Sequence, residues 1–320
     1  MRTDRFEALV QRANLAPSVH NTQPARWRLG ECVIELFCDR RVTLGAADAE
    51  GRDAAFSCGA AVEATVLALS EEGIGARVET ADWRAPGDRG LALMARITPG
   101  GAVSPDALAG ALPARFTHRG PFAEAGPCHW SPGDAVLVTD PEGKARIAAL
   151  NDAVSLEALR EGAARRELLS WMRLSERHPR FGLDGMSRDA LRMAPFEARA
   201  ARLALGPFWP VLDLLGLTSG LTAEAAATQS ATAIAGFHRP RGESPVDSGR
   251  AYLRLWLEAT QQGYAGWPMA ALTDDAPMQA RLHADLALPP DRELLQMIRF
   301  GPAGEDPPPR ARRPLDEIIV

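Results

Sequence analysis

The sequence is poor in lysine, cysteine and tyrosine. Lys144 is the only lysine among 36 Lys and Arg residues, so any anion site must be built from arginine, whose planar fork makes bidentate contacts with phosphate or carboxylate. The net charge is −5, which lacks the basic footprint of a nucleic-acid binder. The four cysteines, Cys32, Cys38, Cys58 and Cys128, form no C-x-x-C pair, so a zinc or redox motif is unsupported. Scattered thiols in a chain of 320 residues suit a reducing cytoplasm, although spacing alone does not exclude a pairing. There is no GxGxxG or P-loop pattern, and His129, His178, His238 and His283 stand isolated, without an H-x-x-x-H or HExxH arrangement. A spanning helix needs about 20 predominantly apolar residues. The best stretch, 203–221, is interrupted by Pro207, Pro210 and Asp213 and reads as a buried or lid-forming helical segment. The opening residues MRTDRFEALVQR contain no apolar signal core. The expectation is a cytoplasmic protein with no membrane or nucleic-acid partner.

What is present is an ordinary globular composition, 46% hydrophobic and 24% charged, at a length suited to about two units. An internal repeat supports two. Gly59–Gly75 (GAAVEATVLALSEEGIG) aligns with Gly249–Ala265 (GRAYLRLWLEATQQGYA) at an offset of 190. Each reads as an apolar-periodic helix that begins after a glycine and ends at one suited to the C′ position, Gly73 or Gly263. Asp88–Gly100 aligns with Asp291–Gly304 at an offset of 203, and Arg119–Phe122 with Arg312–Leu315 at 193. Alternation of Leu91, Leu93, Ala95 and Ile97 predicts a strand. The competing explanation is chance similarity among amphipathic elements; the conserved order of the three pairs favours duplication.

Residues 4–16 predict a first helix with Asp4 as N-cap and Phe6, Leu9, Val10 and Ala13 on one apolar face. Residues 25–29 and 32–37 predict a hairpin turning at Gly30-Glu31. Residues 39–58 read as an extended polar connection, 135–139 as a short strand, 142–230 as a mostly helical insertion, and 305–314 as an extended tail. Strands and helices without a βαβ rhythm argue for an α+β fold.

The most informative segment is Ala16–Arg28, APSVHNTQPARWR. Pro17 and Pro24 stiffen a loop that carries Ser18, His20, Asn21, Thr22 and Gln23. Amide side chains both donate and accept, so the loop matches the edge of a heterocycle; a polar turn that binds nothing is the alternative. Helix–APS-x-x-N-x-QP–strand resembles the flavin loop of the nitroreductase family. Arg52–Ala61 (R-x-x-x-x-SCGAA) and the terminal RRPLDEIIV resemble the duplicated, Acg-type subgroup.

That resemblance implies an α+β nitroreductase-like fold in which a tandem duplication forms an intramolecular pseudo-dimer, with a helical insertion or lid at about 142–230. The units would be 1–112 and 113–320. It implies one FMN site per chain, with Pro17, Ser18, His20, Asn21 and Gln23 at the flavin, and the R-x-T-x-R segment Arg115, Thr117 and Arg119 with Arg310, Arg312 and Arg313 at its phosphate. The reverse site lacks a loop, and at the start of the first helix only Arg2 and Arg5 stand where a clamp would be. NAD(P)H would be the electron donor and a nitroarene, quinone or similar small molecule the acceptor. A catalytically silent flavin- or ligand-sequestering protein and oxygen-dependent flavin chemistry are the alternatives. Further homo-oligomerisation stays open, and no catalytic acid or base is identified. Two departures stand out: Ala25 where the family often has Trp, with Trp27 two residues on, and Phe116 where a basic residue is common. Cys58, expected at a helix start, is read as a small buried hydrophobe, with a redox role left open by the thiol-activating field of a helix N-terminus.

Overall fold

The computed structural model describes residues 2–320. The first half runs α1 (Thr3–Ala13), β1 (Ala25–Leu29), β2 (Ile34–Asp39), α2 (Arg52–Glu71), β3 (Ile74–Thr80) and β4 (Leu91–Ala102). The second runs β5 (Ala135–Val138), α3 (Pro141–Arg160), α4 (Gly162–Trp171), β6 (Met172–Arg173), β7 (Met186–Ser187), α5 (Pro195–Leu205), α6 (Trp209–Leu214), α7 (Ala225–Gln229), β8 (Ala233–Pro240), α8 (Pro245–Gln261), β9 (Ala265–Pro268), α9 (Ala271–Asp274), α10 (Ala276–Asp285), β10 (Arg292–Gly301) and α11 (Leu315–Ile318).

The two larger sheets have the same topology. One is ordered β1-β2-β4-β3 and the other β5-β8-β10-β9, antiparallel throughout. Numbered within its own half, each is 1-2-4-3, so the fold is a duplicated α+β unit. The first two repeat pairs fall on equivalent elements, α2 with α8 and β4 with β10. The shift of the second offset from 190 to 203 corresponds to α9 and α10, which occupy the β9–β10 connection. The segments beside the third pair dock on different sheets. Thr117 bridges Gly266 of β9 in the second sheet, whereas Ile319 bridges Trp27 of β1 in the first.

Helices α2 and α8 cross at the centre and pack more extensively than any other helix pair. Val246, Leu253 and Leu257 of α8 lie in the same core as the apolar residues of α2. Buried Glu63 of α2 accepts hydrogen bonds from Arg250 (3.0 Å) and Arg254 (2.8 Å) of α8. The C-terminal tail returns to the first half, where Ile318 is fully buried and the Val320 amide donates to the Trp27 carbonyl at 2.9 Å. α2 is long and apolar enough to cross a membrane by composition, but most of it is buried in this core.

Several boundaries differ from expectation. α1 starts at Thr3, so Asp4 lies within its first turn and the N-cap is Arg2; the expected apolar face is buried. The β1–β2 turn spans four residues, with Leu29 paired to Ile34 and the Gly30 amide donating to the Val33 carbonyl. α2 begins at Arg52, well inside the expected extended connection, because Asp48 caps it from upstream by accepting from the Asp53 (3.1 Å) and Ala54 (2.9 Å) amides. α8 likewise begins before Gly249, at Pro245, capped by Ser244. Gly73 and Gly263 do end their helices, at φ +73° and +81°.

The insertion separates β5 from β8, where the first half has only the hairpin turn. It is not all lid. Ile147 and Ala148 of α3 are buried, and Ile147 belongs to the second half's core. The remainder folds around Met172, Met186, Leu205 and Trp209.

Candidate functional site

The loop after α1 is strained. His20, Asn21 and Gln23 have φ of +45°, +56° and +54°. Each costs on the order of 1–3 kcal/mol, least for asparagine. The surroundings hold the loop in place. The Ser18 hydroxyl accepts from the Gln23 amide (3.0 Å), and the Ser57 hydroxyl of α2 accepts from the Val19 amide (3.2 Å). Buried Arg26 donates to the Gln23 and Ala25 carbonyls at 2.8 Å each and pairs with buried Asp39 at 3.0 Å. Pro17 is half-buried at the loop entrance.

The loop amides face the insertion and the tail. Asn21 Nδ2 donates to the carbonyls of Gly185 (3.0 Å) and Ala311 (3.2 Å), and its Oδ1 accepts from Arg312 (2.8 Å). Gln23 Nε2 donates to the Leu183 carbonyl (2.9 Å), and its Oε1 accepts from the Arg313 amide (2.9 Å). In this conformation both side chains are satisfied by protein. They do not present a free edge to a heterocycle, because residues 183–185 and 311–313 occupy their donors and acceptors.

The six residues expected at a phosphate separate into groups. Arg115, Arg310 and Arg312 converge. Arg115 and Arg312 both donate to the Leu15 carbonyl, at 2.9 and 3.1 Å, and Arg310 donates to the carbonyls of Pro113 and Arg115. The Arg115 guanidinium also stacks over Trp256 at 4.7 Å. Among the described residues none of the three has a carboxylate partner, and the Nε atoms of Arg115 and Arg312 are buried without an acceptor. Burial, with repulsion from Arg312 and Arg310, lowers the Arg115 pKa to about 9; burial and Arg310 lower that of Arg312 to about 10. A partly buried positive cluster with no carboxylate partner is costly unless an anion completes it, so the donor set fits a phosphate.

The other three lie elsewhere. Thr117 is engaged through its backbone with Gly266. Arg119 donates to the Ala190 carbonyl (3.3 Å) beside the Glu224–Arg299 pair; burial lowers its pKa to about 10, against the pull of Glu224. Arg313 is bound to Asp184 (2.6 Å) and Glu317 (3.1 Å). In this structure the R-x-T-x-R segment does not form one cluster.

His20 faces Arg119 and the insertion's Glu167, which accepts from the Ala46 and Ala47 amides at 3.1 and 2.9 Å. Burial first, then Arg119, lowers the His20 pKa to about 4, so the ring is neutral at neutral pH. Trp27 does not replace the aromatic missing at position 25. It is buried in the core and donates to Thr65 Oγ1 at 3.0 Å. Phe116 packs against the second core. Cys58 sits inside α2, away from its N-terminus, and burial followed by contact with Cys38 raises its thiol pKa, which disfavours the thiolate. All four cysteines are free, and no metal-holding cluster occurs among the described residues.

Sequence reasoning missed Arg26, Asp39, Ser57 and Asp184. Ser57 lay within the SCGAA motif and was legible there. The others act through contacts that no local pattern announces.

With this geometry in view, the chain can be set beside its relatives. A Mycobacterium tuberculosis protein named "Putative NAD(P)H nitroreductase acg" is 26% identical over 99% of this chain and 96% of its own length. The chain is thus similar over nearly its whole length to proteins described as nitroreductases of the Acg type. A second M. tuberculosis protein with the same kind of description is 28% identical over 95% of this chain and 88% of its own. No family model matches. Among solved structures, the FMN and NADPH-dependent nitroreductase NfnB of Sphigopyxis sp. strain HMH covers 67% of this chain and 98% of its own at 18% identity and a TM-score of 0.36. A nitroreductase family protein of Streptococcus pneumoniae TIGR4 covers 42% and 88% at 16% identity and a TM-score of 0.25.

Proposed function

We propose that this chain is an FMN-dependent oxidoreductase that passes electrons from NAD(P)H to a small-molecule acceptor such as a nitroarene or quinone, with one flavin site per chain. The observation that carries this reading is the convergence of Arg115, Arg310 and Arg312 without a carboxylate, with orphaned buried Nε atoms on two of them. These three residues would hold the cofactor's phosphate beside the loop Pro17–Gln23. When bound, FMN supplies the hydride chemistry, and the protein contributes position and electrostatics. Neutral His20 and the main chain around Ser18 and Asn21 would line the ring. The relatives' description as NAD(P)H nitroreductases agrees with this assignment.

A second reading is favoured by the ties of Asn21 and Gln23 to Gly185, Leu183 and the tail. A protein closed in this way would retain flavin and exclude an acceptor.

One series of measurements separates the two. The visible absorbance spectrum and an FMN titration should show saturation near one flavin per chain. Arg115→Met or Arg312→Met should weaken binding roughly 10–100-fold, the worth of a charge-assisted contact. NAD(P)H should then bleach the bound flavin. Bleaching by dithionite but not by NAD(P)H would select the sequestering reading, and absence of binding would overturn both.

A further inference from the structure

The outer face of the insertion is apolar and uncovered. Leu214 is 87% exposed and Phe196 73%, and Phe208, Val211, Leu215 and Leu217 each keep more than half of their surface in solvent. The opposite side of the same helices is packed, with Leu205 and Trp209 buried against Met172 and Met186. Charge is almost absent from the stretch that carries most of these residues. Between Phe208 and Leu221 the only ionisable residue is Asp213, and it is occupied by Arg160 (3.3 Å) and the Thr218 hydroxyl (3.0 Å).

We propose that this face, formed by α5, α6 and the turn to Leu221, pairs two copies of the chain about a twofold axis. The area agrees. The six residues, main chain included, expose roughly 700 Å², above the roughly 300–600 Å² of the largest patch on a typical monomer and near the roughly 800 Å² that each partner contributes to a standard stable interface. The chemistry agrees as well. A twofold interface sets a surface against itself, so a charged face repels its mate and a neutral apolar one does not. A lipid surface fits less well. Helices that lie on membranes carry Lys and Arg on their polar face, whereas this chain has a net charge of −5 and a single lysine, and Arg199 and Arg202 of α5 share that helix with Glu197.

The test is sedimentation velocity on the full chain at tens of micromolar, with Leu214→Glu and Leu217→Glu as variants. The native chain should sediment as a dimer. Either variant should weaken association about a hundredfold or more, because it sets two unpaired carboxylates at the interface. Both should keep the native circular dichroism and melt within about 2 °C of it, since the altered residues are exposed. A monomeric native chain overturns the proposal, as does a dimer that survives both substitutions. A monomer that floats with neutral phosphatidylcholine vesicles assigns the face to lipid instead.

Discussion

Gly59 and Gly249 meet where α2 crosses α8, and each faces the main chain of the other helix three residues before its counterpart. A β-carbon on Gly59 would stand 2.1 Å from the Val246 carbonyl oxygen, and one on Gly249 would stand 2.0 Å from that of Phe56. The reciprocity is the duplication expressed in packing, since both pairs are 190 residues apart. Gly249→Ala must separate the helices and should cost roughly 3 kcal/mol, the upper end for overpacking. Gly110→Ala is the control, because nothing lies within 4 Å of its added carbon. Urea denaturation of the two variants measures the difference, and equal stabilities would rule out the close crossing.

This crossing also marks how far the sequence was legible. The repeat named the right helices and both C′ glycines, because those signals are local. The starts of α2 and α8 were missed. The first depends on Asp48 reaching forward to the Asp53 and Ala54 amides, the second on Ser244 upstream of the repeated glycine. The loop Ser18–Gln23 was legible as a motif. Its partners were not, since Arg312 lies 291 residues from Asn21 and Gly185 belongs to an insertion that has no counterpart in the first half. The R-x-T-x-R spacing suggested one clamp. In the structure Arg115 meets the tail's Arg310 and Arg312, whereas Arg119 meets Ala190 of the insertion.

Asp184 ties the insertion to the rest of the molecule. It is 2% exposed and binds Arg173 (2.7 Å), Arg180 (2.9 Å) and Arg313 (2.6 Å). Asp184→Ala leaves three cations without their shared anion and should destabilise the insertion by about 3–5 kcal/mol. The adjacent Leu183 and Gly185 carbonyls would then release Gln23 and Asn21. Limited proteolysis should cut between Met172 and Ser187 much faster than in the native chain, and an unchanged digestion pattern would refute the tie.

Thiol titration tests the burial of Cys58. Burial and contact with Cys38 hold its thiol protonated, and Cys38 is itself buried. A thiol reagent should modify exposed Cys32 promptly and half-buried Cys128 more slowly, leaving Cys38 and Cys58 unmodified until denaturant is added. Rapid labelling of Cys58 in the native chain would show that α2 is open at this point.

His20 makes stability depend on pH in a direction that can be worked out. Its folded pKa is about 4 against 6.5 for the free ring, through burial and Arg119, partly opposed by Glu167. Between those values the unfolded chain binds the proton more readily, so stability falls as pH drops from 6.5 toward 4 and the contribution is complete above 6.5. Burial, helped by the Asp48 charge, raises Asp53 to about 6. This group contributes the opposite slope, so the native curve alone mixes the two effects. Subtracting the curve of His20→Asn isolates the histidine, because asparagine accepts the positive φ of this position. The stability difference, native minus variant, should decline by on the order of 2–3 kcal/mol between pH 7 and pH 4. A flat difference would mean that the ring is solvated and does not face Arg119.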